Sequence, residues 1–197
     1  MNVSEVTDPV GHLGEWIESA RRRGESDAHA ATLATVDPAF VRPSVRTVYV
    51  QIDGDALVFF VNTRSGKGQQ LRWHPHAALC FFWRGLQQQV NVEGVVDLLD
   101  DEAADRLWAQ RSHESTLVAR SSEQHAVFGD LDAFHARLEQ EHDTYSFHRA
   151  PRPDNWLGYR LLPTRLEFWA TGWHRARPRY LFERAPGGGW QSAVQEP

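Results

Sequence analysis

Residues 62–71 read NTRSGKGQQL, a lysine held between two glycines directly after the apolar run ALVFFV. If a helix starts there, its free backbone N–H groups, the Ser65 hydroxyl and the Lys67 ammonium converge, a donor set suited to one phosphate group. A nucleotide P-loop needs GxxxxGK[ST]; here Asn62 stands four residues before Gly66 and Gly68 follows the lysine, so that reading fails. A capped surface helix with a solvated lysine is the commoner use of such residues. Arg46 favours the anion reading, because a hairpin at Asp53-Gly54 returns its strand toward Lys67.

Two other stretches carry polar groups where strands are expected. Gln87, Gln88 and Gln89 form a run of amides that suits a polar ligand, a wet cleft or an edge facing solvent. In EFWATGWHRARPRYLF (167–182), Trp169 and Trp173 interleave with Arg175, Arg177 and Arg179. That odd spacing puts the three arginines on one face of an extended strand, where they need an anion or carboxylates. The histidines show no HExxH or Cys/His spacing, so no metal site is expected. No GxSxG elbow occurs, and Cys80 inside ALCFFW reads as buried core rather than nucleophile. DDEAAD (100–105) reads as a dipole-favoured helix start.

The elements that must hold these groups are legible in outline. Asp8-Pro9 predicts a helix start, with Val10, Leu13, Trp16, Ile17 and Ala20 at helical spacing. Strands are predicted over 31–36, 44–52, 56–61, 78–83 and 86–99, with tight turns at Asp53-Gly54 and Arg84-Gly85. Ser65 caps a short helix that Pro75 ends after His74. Helices follow from Asp100 through Trp108, over 113–121 and over 123–142, the last with Val127, Leu131, Phe134 and Leu138 as one apolar stripe. WLGYRLLP, RLEFWATG and RPRYLFER supply closing strands, and Gly187–Gly189 turns into a short tail. This order predicts a mainly β, α+β protein, a small barrel with peripheral helices. It reads as one domain over 1–197, with an N-terminal helical extension (1–26), a helical excursion (100–147) and closing strands (154–197).

A formal net charge of −5 argues against a nucleic-acid partner. No apolar run reaches membrane-spanning length, no signal-peptide layout opens the chain, and the lone cysteine fits a reducing compartment. The expectation is a cytoplasmic protein without a membrane partner. Core packing accounts for most of the eight tryptophans, and a surplus suits a planar ligand or a large subunit interface.

Taken in order, LATVD (33–37), RTVYV (46–50), FFVNTRSGKGQQ (59–70), FWRGLQQQV (82–90), RSHES (111–115), SEQ (122–124) and EFW…HRARPR (167–179) resemble the pyridoxamine 5′-phosphate oxidase family over nearly the whole chain. The resemblance implies an FMN-binding split β-barrel, homodimeric, with FMN bound across the interface. Carried over by position, Arg46, Ser65 and Lys67 would hold the FMN phosphate and ribityl end, while Gly66 stands where the family has an arginine. Thr47, Val48, Tyr49 and Val50 would run their backbone along the flavin, and Phe60 and Val61 stand where Tyr-Thr is frequent. Gln89, Gln124, Trp169 and Arg179 match flavin contacts, and His125 stands where a serine is usual.

The substrate half of the pattern is less complete. A Lys, Tyr, Arg and Ser grip the substrate phosphate in vitamin B6 oxidases; the matching positions here hold Gln51, Leu107, Arg111 and Ser115. Of the Arg-x-His pair that covers the substrate ring, Arg175 keeps the arginine, while Arg177 stands in place of the histidine and Pro178 follows where an acidic residue is common. The resemblance therefore implies an FMN-dependent oxidase that passes a hydride from a C–H beside nitrogen to FMN and reduces O2 to H2O2. Its small-molecule substrate would be of secondary-metabolite type, as in the phenazine-pathway flavin oxidases. The alternatives are a pyridoxine/pyridoxamine 5′-phosphate oxidase with an altered phosphate site, and a split-barrel protein that binds flavin or haem without turnover. No side chain is identified as a catalytic base.

Overall fold

The computed structural model describes residues 6–122, 131–170 and 178–196. In chain order the elements are α1 (Pro9–Arg22), β1 (Ala30–Asp37), β2 (Arg42–Tyr49), β3 (Gln51–Asp53), β4 (Ala56–Asn62), α2 (Gly66–Trp73), β5 (His76–Trp83) and β6 (Gln88–Leu98), then α3 (Asp101–Trp108), α4 (His113–Ser121), α5 (Leu131–Thr144), β7 (Trp156–Ala170), β8 (Arg179–Arg184) and β9 (Trp190–Gln195). The described residues form two compact units, one of 6–59, 70–97, 159–170 and 178–196, the other of 60–69, 98–122 and 131–158. No described helix is long and apolar enough to cross a membrane.

The first unit holds the sheet, with strand order β2-β1-β5-β6-β7-β4-β3 and with β8 and β9 added beyond β7. Asp8 caps α1 by accepting from Val10 N and Gly11 N, and the helix lays Val10, Leu13, Ile17 and Ala20 inward. Strand alternation supplies the rest of this core: Leu33, Leu79, Phe81, Phe168 and Phe182 are fully buried. β2 ends the strand order, and Val45 and Tyr49 on it stand exposed, as do Phe40 and Val41 before it.

Gly94 of β6 shows how closely neighbouring strands approach. A Cβ there would sit 2.2 Å from the Leu162 carbonyl oxygen and 2.7 Å from Leu161 Cδ2, so backbone would have to move. Gly94→Ala should therefore destabilise the protein by about 1–3 kcal/mol or more, read as a lower urea midpoint at unchanged slope.

The second unit is stapled by indole N–H groups. Trp108 Nε1 donates to Ala150 O at 3.1 Å and Trp156 Nε1 to Ala119 O at 3.0 Å. Arg152 bridges Asp101 and Asp105 of α3, both at 2.6 Å.

Six expectations change. The 44–52 strand breaks at Val50, whose N–H leaves the ladder to donate to His29 O, and Gln51 restarts pairing with Val58. The amide run does not lie wholly in a strand: residues 84–87 form the turn, Gln87 has φ +51°, and β6 begins at Gln88. WLGYRLLP and RLEFWATG are one 15-residue strand that passes through Pro163, because a fixed φ suits an extended backbone. The tail after Gly187–Gly189 is a strand, β9, paired with β8. In α5 the apolar stripe is not fully buried: Leu131 is 56% exposed, Phe134 and Leu138 are half-buried, and Val127 lies outside the described residues. Polar contacts anchor α5 to α4 instead, Arg120 to Glu141 at 2.5 Å and Arg137 Nε to Ser121 O at 3.3 Å. Cys80 is half-buried rather than buried, and desolvation pushes its thiol pKa up.

Candidate functional site

The corner between β4 and α2 is held by its own short side chains. Ser65, buried, donates through Oγ to Asn62 O at 2.6 Å and accepts from Gly68 N at 3.2 Å, while Asn62 Oδ1 accepts from Arg64 N. Gly68 is required because a Cβ would meet Asn62 O at 2.7 Å. Ser65 thus spends its hydroxyl proton on the corner, and its role in α2 is that of a cap.

Arg46 projects from β2, opposite Leu33 of β1. Its Nη1 donates to Thr35 Oγ1 at 2.5 Å and to Leu33 O at 3.3 Å, and its Nη2 to Gln70 Oε1 of α2 at 3.2 Å. Gln70 in turn donates to Ser44 Oγ at 3.2 Å. Every acceptor around Arg46 is neutral, and among the described residues no carboxylate pairs with it. Burial pushes its pKa down, yet a guanidinium stays protonated, so a half-buried cation waits without a counter-charge. A cavity of about 330 Å³ starts at Thr35 and runs past Pro43, His74, His76, Glu93 and Thr164. Along the remainder of β2 and just beyond, Thr47 and Tyr49 are exposed and Val48 and Val50 buried, so the backbone is presented between two faces. The Tyr49 hydroxyl donates to Asp27 at 3.0 Å, which raises its pKa.

A second cluster lies on one face of β6, β7 and β8. Trp169 is the register partner of Arg179, and Gln89 reaches the same face through Asn91. Between them sits Glu167, which accepts from Arg165, Arg179 and Asn91. The sequence reading passed over Glu167, Asn91, Thr35 and Gln70. For Glu167 a signal was present: it is the one carboxylate within the run RLEFWA.

Of the remaining expected positions, Phe60, Val61, Leu107, Arg111 and Ser115 belong to the second unit. Phe60, Val61 and Leu107 are buried. Ser115 Oγ donates to Ser112 O at 3.0 Å. Arg111 is unusual: its guanidinium lies 5.6 Å from the Phe60 ring centre, 5.1 Å from Trp108 and 6.0 Å from Trp156. Its buried Nε has no hydrogen-bond partner, and burial pushes its pKa down. It opens on a cavity of about 130 Å³ shared with His113, Thr116 and Arg149, and Arg149 donates to Ala109 O. Gln51 is half-buried on β3 in the first unit. Gln124, His125, Arg175 and Arg177 lie outside the described residues.

Residues 17–145 match the profile of the pyridoxamine 5′-phosphate oxidase family, and residues 156–195 match that of the pyridoxine 5′-phosphate oxidase C-terminal dimerisation region. The chain belongs to the pyridoxamine 5′-phosphate oxidase family. Against the pyridoxine/pyridoxamine 5′-phosphate oxidase 1 of Ralstonia nicotianae it is 40% identical over 192 residues, 96% of this chain and 90% of that one. PhzG from Burkholderia lata, solved in complex with tetrahydrophenazine-1-carboxylic acid, superposes with a TM-score of 0.88 at 27% identity, over 98% of this chain and 94% of that one. A pyridoxamine 5′-phosphate oxidase-related, FMN-binding protein of Nostoc punctiforme shares the fold, with a TM-score of 0.75 at 22% identity, over 95% and 96% of the two chains. As a pyridoxamine 5′-phosphate oxidase family member the protein is an oxidoreductase built on a split barrel, and it carries the family's dimerisation region.

Proposed function

We propose that the protein is an FMN-dependent oxidase acting as a cytoplasmic homodimer on a small, anionic, secondary-metabolite-type substrate. The observation that supports this most is Arg46: a half-buried guanidinium bonded only to neutral acceptors fits the dianionic phosphate of FMN. Lys67, Gly66 and the first turn of α2 would add an ammonium and N–H donors to the same phosphate, with Ser65 fixing the turn. Residues 47–50, Phe60 and Val61 would line the ring. Gln89, Trp169 and Arg179, with Gln124 and His125, would meet its polar edge. When bound, FMN supplies the redox chemistry, accepting a hydride from a C–H beside nitrogen and returning the electrons to oxygen as hydrogen peroxide.

The chain's own work is binding and orientation. Arg111, a cation held among aromatic rings with its buried Nε unbonded, would meet the substrate anion, while Arg175 and Arg177 would sit over the ring. At the positions where B6 oxidases place a lysine and a tyrosine stand Gln51 and the buried Leu107, neither able to pair with phosphate as they do. PhzG's tetrahydrophenazine-1-carboxylic acid, a carboxylate on a reduced ring, is the model for the substrate class. Arg111→Met should raise KM for an anionic substrate by about 10- to 150-fold, one charge-assisted bond, without lowering Tm, because methionine refills the aromatic cage.

A second reading, an oxidase of pyridoxine or pyridoxamine 5′-phosphate, is favoured by the names of relatives at 35–40% identity. Peroxide release decides between them. Purified protein should be yellow or take up FMN, and should oxidise dihydro-aromatic carboxylates faster than pyridoxamine 5′-phosphate. The reverse order establishes the second reading, and failure to bind FMN removes both.

A further inference from the structure

Glu167 is the only charged residue among the described residues to be fully interior, at 5% exposure. A carboxylate taken out of water costs several kcal/mol unless its lone pairs are met. Here Oε2 accepts from Arg165 Nη2 at 3.1 Å, and Oε1 accepts from Arg179 Nη1 at 3.3 Å and Asn91 Nδ2 at 3.5 Å. Arg165 does not depend on Glu167, because Glu93 at 2.7 Å and Glu183 at 3.7 Å also pair with it. The remaining contacts lead to Arg179 directly and to Gln89 through Asn91.

The direction of that chain is forced. An ionised carboxylate only accepts, so Asn91 must turn its NH2 toward Glu167 and its carbonyl toward Gln89. Gln89 Nε2 then donates to Asn91 Oδ1 at 3.2 Å, which leaves the Gln89 carbonyl as the acceptor not engaged by Asn91. A cationic donor at Arg179 and a carbonyl acceptor at Gln89 suit a heterocycle edge that carries both C=O and N–H, as the pyrimidine edge of a flavin does. We propose that Glu167 is a positioning residue that, from one buried carboxylate, fixes the Arg179 guanidinium and sets the orientation of the Gln89 amide toward the flavin edge. This rests on Gln89 and Arg179 being flavin contacts.

The test uses full-length protein, FMN titration by fluorescence quenching, the flavin midpoint potential and apoprotein Tm. Glu167→Gln should weaken FMN binding by about 10-fold or more, the worth of one charge-assisted bond, and should shift the midpoint potential. Glu183→Gln, which touches the same network only through Arg165, should leave FMN affinity within about 2-fold, as for a surface pair. Glu167→Gln binding FMN with wild-type affinity and potential, even at lowered Tm, overturns the proposal and leaves a merely structural carboxylate. Equal losses in the two variants overturn it as well, pointing to general charge. Should Glu167→Gln not fold, Asn91→Ala breaks only the Gln89 arm. A loss of about 3- to 10-fold supports the proposal and an unchanged affinity overturns it. Wild-type protein that binds no FMN at all refutes the flavin reading itself, which the wild-type titration shows before any variant is made.

Discussion

Arg46→Met should weaken FMN binding by about 10- to 150-fold, since one charge-assisted hydrogen bond to phosphate is worth about 1.5–3 kcal/mol. The geometry explains why Arg46 outranks other cations of the chain. Its fork is already spread between Thr35, Leu33 and Gln70, so little side-chain freedom remains to be lost on binding. No described carboxylate competes for it, so its charge is available in full. Arg46→Lys keeps the charge but cannot bridge Thr35 and Gln70 at once, and should fall between wild type and Arg46→Met. Added salt should narrow the gap between wild type and Arg46→Met, because the lost contact is ionic. Fluorescence titration of apoprotein reads all three, and wild-type affinity in Arg46→Met would sink the phosphate assignment.

The largest stability effect is expected at Phe168, where substitution by alanine should cost about 3–5 kcal/mol. Phe168 is fully buried on β7, with its ring edge-on to Trp16 at 5.2 Å and to Phe182 at 5.7 Å and tilted against His12 at 5.4 Å. It ties α1 to β7 and β8, and removing it leaves a cavity bounded by rigid rings that cannot collapse into it. For a chain of this size that cost corresponds to a Tm lower by about 6–20 °C. Because Phe168 points away from the face that carries Glu167 and Trp169, Phe168→Leu should recover much of the stability and leave FMN affinity unchanged. Urea unfolding followed by tryptophan fluorescence, paired with FMN titration, separates the two effects.

How far the sequence could be read depended on whether the deciding contact was local. The Asp53-Gly54 turn, the Asp8 cap and the α2 corner are settled by residues within a few positions of one another, and all were legible. Strand pairing is not local. That Arg46 meets Thr35 and Gln70 follows from β1–β2 register and from where α2 lies, neither of which the residue types encode. The stripe in α5 misled because helical spacing states which side chains share a face, not whether anything covers it. Among the expected cofactor contacts, the structure gathers Gln89, Trp169 and Arg179 on one face, which spacing alone suggested only for the arginine. Glu167 escaped notice because an isolated acid in an aromatic run looks like a solvent-facing position until its three donors are seen.

The strand that carries Arg46 is also one end of the strand order among the described residues, with Val45 68% and Tyr49 58% exposed beside it. An unguarded apolar edge of this kind invites further strands to add to it. If FMN binds at Arg46 as proposed, apoprotein should turn cloudy on storage sooner than the same protein reconstituted with FMN.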